Sequence, residues 1–223
     1  MMTPAEMMPG KLILFSILLS LAVAGCRQNR LDENEKARQI LTSRNLGLAY
    51  LEENQLPEAE AEFKKLIDLA PKESMAYANL GLVYLRMGEI KKAEKLVIKA
   101  LSIDGNNPDI RLILATIYEI GDRGEASIKE LEIILKTEPG HVKTLFALAE
   151  VYAKRTEEGA SAKREACLYS IAEHAPLNLA GRLTLTETLL ENEKYDSALA
   201  QLEEIEEAFP VFPGESGSFF SKS

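Results

Sequence analysis

Tryptophan is absent from this chain, and histidine and cysteine occur only twice each in 223 residues. So few imidazoles and thiols, with no Cys/His pair at ligand spacing, give no zinc centre, and no metal or other cofactor is expected. Aromatic residues make up 6% of the chain, too few for an aromatic-lined sugar site or a β-sandwich core. Positive charge is also short: 26 Lys and Arg against 35 Asp and Glu leave a net charge of −9, with no basic stripe, which argues against a nucleic-acid partner. The glycine-bearing stretches GDRGEA (121–126) and GESGS (214–218) match neither a phosphate-cradling loop nor a nucleophile elbow, and both read as turns. DGNNPD (104–109) fails as a calcium loop, because Pro108 stands where an oxygen ligand is needed and Asp109 where a glycine is. His141 and His174 lie beside repeat-closing prolines and read as solvated turn residues; Cys167, beside Leu168 and Ile171, reads as a small buried thiol. Without convergent catalytic groups the chain is read as a non-enzyme with no small-molecule substrate.

What the chain does have is 46% apolar residues, 27% charged ones and much Ala, Leu, Glu and Lys, the composition of packed helices. One apolar run, Leu12 to Ala24, follows Lys11. As a helix it reaches about 20 Å, short of the ~30 Å hydrocarbon core, and so reads as a signal-peptide h-region. It closes on Val23-Ala24-Gly25-Cys26, which resembles the bacterial lipobox. That resemblance implies a leader over 1–25, diacylation of the Cys26 sulfur, and a tether over 26–39 that passes into the first helix near Asp32. An ordinary secretory signal or an uncleaved anchor, with an incidental cysteine, is the alternative. MMTPAEM ahead of Lys11 is unlike a short basic n-region, which leaves Met7 or Met8 as candidate starts. Arg27 follows the cysteine where, by the lipoprotein sorting rule, an aspartate would favour inner-membrane retention; outer-membrane placement facing the periplasm is therefore expected.

The rest of the chain is organised by a repeat. NLGLAY (45–50) returns as NLGLVY (79–84) thirty-four residues later, and the register carries on through Pro71, Gly105, Pro139, Pro176 and Pro210. Five repeats follow, over 40–73, 74–107, 108–141, 142–178 and 179–212, with three extra residues around Gly159 in the fourth. A flexible tail would occupy 213–223. Leu46, Gly47, Tyr50, Ala59, Phe63 and Pro71 in the first repeat, and Tyr77, Leu80, Gly81, Tyr84, Ala93 and Ala100 in the second, resemble the tetratricopeptide repeat. The fold this implies is all-α: an α-solenoid of about five helix-turn-helix units. Small residues at the helix crossings, Gly47 against Ala59 and Gly81 against Ala93, are expected to let each hairpin close, and stacked repeats then share a core. The second helix of the fourth repeat is expected at about 162–174.

In this family the first helices line a groove for peptides or partner helices. The resemblance places Leu41, Arg44, Asn45 and Leu48, then Met75, Ala78, Asn79, Leu82 and Arg86, along it, followed by Asp109, Leu112, Thr116 and Glu119 in the third repeat and Lys143, Phe146 and Glu150 in the fourth. Packing between neighbouring first helices is the alternative role for the apolar members. A chaperone carboxylate clamp is not expected, since Ile113 stands at the clamp arginine's position. Asn45 and Asn79 would instead form a two-rung asparagine ladder for a peptide backbone, with helix or turn capping as the alternative. The function expected is that of a lipid-anchored protein-interaction scaffold or assembly factor at the cell envelope. In architecture the chain resembles repeat lipoproteins that assist pilus secretin assembly or outer-membrane protein insertion. A substrate-recruiting module is one rival reading; a truncated N-terminal repeat region of a larger multidomain protein or enzyme is another. Val211, Phe212, Phe219 and Phe220 follow the last repeat-closing proline, Pro210, where a polar capping helix would normally stand, and could fold back over the exposed face, or a second protein could cover it.

Overall fold

The computed structural model describes residues 33–209. The expected leader, the lipidation site Cys26 and the expected tail lie outside the described residues. Ten helices, and no strand, occur among those described: α1 (33–52), α2 (Leu56–Leu69), α3 (Ser74–Arg86), α4 (Ile90–Ile103), α5 (Pro108–Ile120), α6 (Gly124–Thr137), α7 (Val142–Ala153), α8 (Ala160–His174), α9 (Leu179–Glu191) and α10 (Tyr195–Ala208). The chain is thus an all-α solenoid of helix-turn-helix repeats. Residues 33–39, assigned to the tether, are already helical in α1, where Glu33 and Glu35 complement the N-terminal end of the helix dipole. α8 starts two residues earlier than expected, after Gly159 in the left-handed region at φ +84°. No described helix is long and apolar enough to cross a membrane.

Four of the five hairpins turn in the same way. After α1, α3, α5 and α9 the chain passes through a left-handed residue, namely Asn54, Gly88, Asp122 and Glu193. The amide that follows it donates back to a tyrosine or leucine carbonyl of the first helix, as in Gln55 N–H to Tyr50 O and Lys194 N–H to Leu189 O, both 2.8 Å. This Schellman closure satisfies carbonyls that the helix end would otherwise orphan. Between α7 and α8 the longer turn, residues 154–159, replaces it.

The chain forms two compact units, divided after Gly105. In the first, α1–α4, Leu51, Ala59, Phe63, Leu66, Ala76, Leu80 and Val83 form one buried core. In the second, α5–α10, the core joins Ile128, Leu131, Leu145, Leu148, Leu168, Ile171, Leu185 and Leu189. The glycine crossings differ in detail from expectation. A Cβ on Gly47 would lie 2.8 Å from the Phe63 ring, and one on Gly81 2.6 Å from Val97 Cγ2 and 3.3 Å from the Ala93 carbonyl oxygen. Each glycine therefore makes room chiefly for the large residue one turn after the alanine, because that side chain projects across the crossing.

Candidate peptide-binding groove

In the first compact unit the first helices of the two repeats, α1 and α3, are tied at two points. Arg44 of α1 donates to Glu73, the N-cap of α3, at 3.0 Å, and the Arg86 guanidinium of α3 donates to the Leu51 carbonyl near the end of α1. Two side chains placed in the groove by sequence are thus engaged within the chain. Arg86 supplies a donor to a helix C-terminus, where carbonyls lack intrahelical partners. Between these ties α1 presents Leu41, Asn45 and Leu48, all exposed, and α3 presents half-buried Met75 and Leu82 with buried Ala78 and Asn79. Leu82 also packs on the core beneath.

The two asparagines stand differently. Asn45 is exposed, whereas Asn79 retains 8% of its surface. Among the described residues neither carboxamide has a hydrogen-bonding partner. Neither serves as a helix cap: the residue capping α3 is Glu73. Asn79 is not among the described residues with a fully buried, unpartnered polar atom, which are Ser43, Glu62 and Arg164, so the little surface it keeps includes its carboxamide, with two donors and one oxygen acceptor. At the same repeat position the later repeats carry Ile113, Ala147 and Thr184, and the Thr184 hydroxyl donates to its own helix at Ala180 O, 2.9 Å.

In the second unit Leu112 is half-buried against the core, and exposed Thr116 donates to the Leu112 carbonyl at 2.9 Å. Leu112 therefore packs, and the Thr116 proton is already committed. Here too the first helices are tied end to end, by Lys143 to Asp109 at 3.6 Å and by Lys154 to Glu119 at 3.1 Å. Both lysines are well exposed, so these pairs fix register more than they add stability.

The sequence did not reveal an open, charged cleft of about 810 Å³ at the turns of the third and fourth repeats. The lengthened turn carries Arg155 into it, between Glu125 at 2.5 Å and Glu157 at 2.8 Å. Those bonds, that to Glu157 first, push the arginine's pKa up and hold Glu157 below the usual carboxylate range. The three-residue insertion was the signal for it. His141 is a helix N-cap rather than a solvated turn residue: its Nδ1 accepts from Thr144 N–H at 3.3 Å and lies 2.7 Å from the Thr144 hydroxyl. Cys167 is buried, and burial pushes its thiol up to about 11, which removes the thiolate a nucleophile needs. No group of three His, Cys, Asp or Glu side chains converges to hold a metal among the described residues.

Residues 50–117 match the model of the tetratricopeptide repeat family. Among curated proteins the human Protein O-mannosyl-transferase TMTC3 is 29% identical over 147 residues, covering 66% of this chain; the chain spans only 16% of the length of that relative. Among solved structures the chain is similar to PilF of Pseudomonas aeruginosa, at 17% identity and TM-score 0.66 over 79% of each chain. It is also similar to YrrB, described as a TPR protein with an unusual peptide-binding site, at 19% identity and TM-score 0.54 over 83% of this chain and 93% of that one. The chain thus carries tetratricopeptide repeats in sequence over 50–117 and has the fold of tetratricopeptide-repeat proteins.

Proposed function

We propose that this chain is a lipid-anchored interaction scaffold of the bacterial cell envelope that holds an extended segment of a partner protein against α1 and α3. The observation that carries the reading is Asn79, held at 8% exposure with a solvent-reached carboxamide that has no partner among the described residues, on the helix that also carries half-buried Leu82, while α1 carries exposed Leu48. An incoming peptide backbone supplies the N–H and C=O that such an amide lacks, and its apolar side chains cover the leucines. YrrB, a TPR protein with an unusual peptide-binding site, adds support at the level of fold. Lipid anchoring and an outer-membrane, periplasm-facing location rest on VAGC at 23–26 and on Arg27. Two or three acyl chains hold a protein stably where one does not.

A photo-crosslinking residue placed at Leu48 of the full chain tests the groove, with exposed Lys65 on α2 as the control position. The expected result is a partner adduct at 48, absent at 65 and weakened by Asn79→Ala with helicity retained. Equal adducts at both positions overturn the reading. Palmitate labelling that is the same in wild type and Cys26→Ser overturns the anchor. The 16% span within the human relative favours a second reading, that these repeats are part of a larger protein. An in-frame continuation of the gene past Ser223 would establish it.

A further inference from the structure

Inside each compact unit successive repeats join through the same positions. α2 packs on α3 through a core shared by Phe63 and Leu80; α6 packs on α7 through one that holds Ile128, Leu131 and Leu148; and α8 packs on α9 through Leu168 and Leu185. All of these side chains are at most 7% exposed. The first and last repeats carry leucine at the two positions that recur in all three of these joins, with nothing described against them. Leu46, at the position of Leu80, Leu148 and Leu185, is 40% exposed; Leu202, at the position of Phe63, Leu131 and Leu168, is 45% exposed; beside it Leu199, at a position held by Ile128 in one repeat and by glutamate in the others, is 56% exposed.

We propose that this chain self-associates head to tail, the α10 face of one copy closing on the α1 face of the next. Leu202 against Leu46 reproduces, between copies, the Leu131 with Leu148 and Leu168 with Leu185 combinations that join repeats inside the second unit. Each end is half of an interface whose other half the same chain carries. Pairing α10 with α10 is disfavoured, because exposed Glu206 lies one turn from Leu202 on the same face, with Glu203 and Glu207 flanking it. A two-fold arrangement would set these exposed carboxylates against their own copies. A heterologous contact leaves one free end of each kind, so association continues as an open chain.

The test uses the full chain in non-ionic detergent, with mass followed by analytical ultracentrifugation. Wild type is expected to grow past the dimer as concentration rises, whereas Leu46→Glu alone and Leu202→Glu alone stay at monomer mass. Mixing the two variants is expected to double the mass and to stop there, since each brings one intact end. Both leucines are already exposed, and unchanged far-UV circular dichroism confirms that the variants fold. A monomeric wild type, as would follow if residues 210–223 or 1–32 cover these faces, overturns the proposal. So does a mixture that stays monomeric, or a single variant that still dimerises.

Discussion

In the first compact unit each hairpin crosses at a glycine, Gly47 or Gly81, whereas the second places Ala115, Ala149 and Thr186 at the same repeat position. The polar interior differs with it. The first unit buries Ser43 and Asn79, both uncharged; the second buries Thr144, Glu165, Arg182, Thr186, Thr188 and Gln201 in its last two repeats. Arg182 donates to the Pro176 carbonyl at 2.7 Å and to Glu204 at 2.6 Å, and Glu165 receives Lys194 at 2.7 Å and Asn192 at 2.6 Å. One repeat geometry is thus closed in two ways. A glycine crossing admits Phe63 and Val97 into close apolar contact, and the bulkier crossings of the last two repeats are accompanied by ion pairs with one buried member, whereas the first unit's Arg44–Glu73 pair is only partly buried.

Exchanging the crossing residues gives the largest expected effect. Gly81→Thr drives its Cβ into Val97, which is β-branched and fully buried, and into the Ala93 carbonyl, neither of which can swing away. Overpacking of this kind should cost about 3 kcal/mol, of which the better helix propensity of threonine recovers only a few tenths. The converse change, Thr186→Ala, removes a hydroxyl that donates only to its own helix at Arg182 O, and should cost less than about 1 kcal/mol. Hydrogen exchange read separately over 33–105 and 106–209 should show the first loss in the first unit and little change in the second. Equal losses for the two variants would mean that the crossing residue does not distinguish the units.

Removing an ion-pair partner should act in the opposite place. The Glu165 side chain is 9% exposed, and Lys194 supplies its counter-charge from a half-exposed side chain. Lys194→Met leaves the carboxylate with Asn192 alone, at an expected cost of about 2 kcal/mol, below the range for a fully buried pair because Lys194 is itself half in water. Adding Glu165→Gln should recover part of that loss, since the uncompensated charge is then gone. Exchange protection should fall over 142–209 and hold over 33–105.

The same contrast governs what could be read from sequence. Repeats closed by glycine and apolar residues display the period openly: Gly47, Gly81, Phe63 and Leu80 all stand where the pattern asks. Arg111 and Arg182 hold the position of Tyr77, and in a sequence a charged residue there reads as solvent-facing. Yet each reaches a carboxylate at 2.6 Å, Glu130 and Glu204. A long side chain hides its partner from any periodicity, so the degeneracy of the later repeats was a change of chemistry rather than a loss of fold. Along α1 and α3 the helical placement of Leu48, Asn79 and Leu82 followed from the register. That Arg44 and Arg86 tie α1 to α3 did not, because donors of that reach find partners outside their own helix.

The smallest effect concerns the hairpin turns and separates the units once more. The left-handed position is filled by Asn54 and Gly88 in the first unit and by Asp122 and Glu193 in the second. Asparagine tolerates that conformation and glycine meets no penalty there, but a longer side chain sets its Cβ against the backbone at a cost of about 1–2 kcal/mol. Glycine also gives the unfolded chain more freedom, which offsets part of any gain. Glu193→Gly should therefore stabilise the second unit by about 1 kcal/mol, whereas Asn54→Gly should change the first by only a few tenths. Glu193 is exposed and Lys194, not Glu193, holds Glu165, so the substitution removes no described contact that could mask the gain. A rise in protection confined to 179–209 is the expected result; a fall there would show that the side chain at 193 contributes more than the strain it imposes.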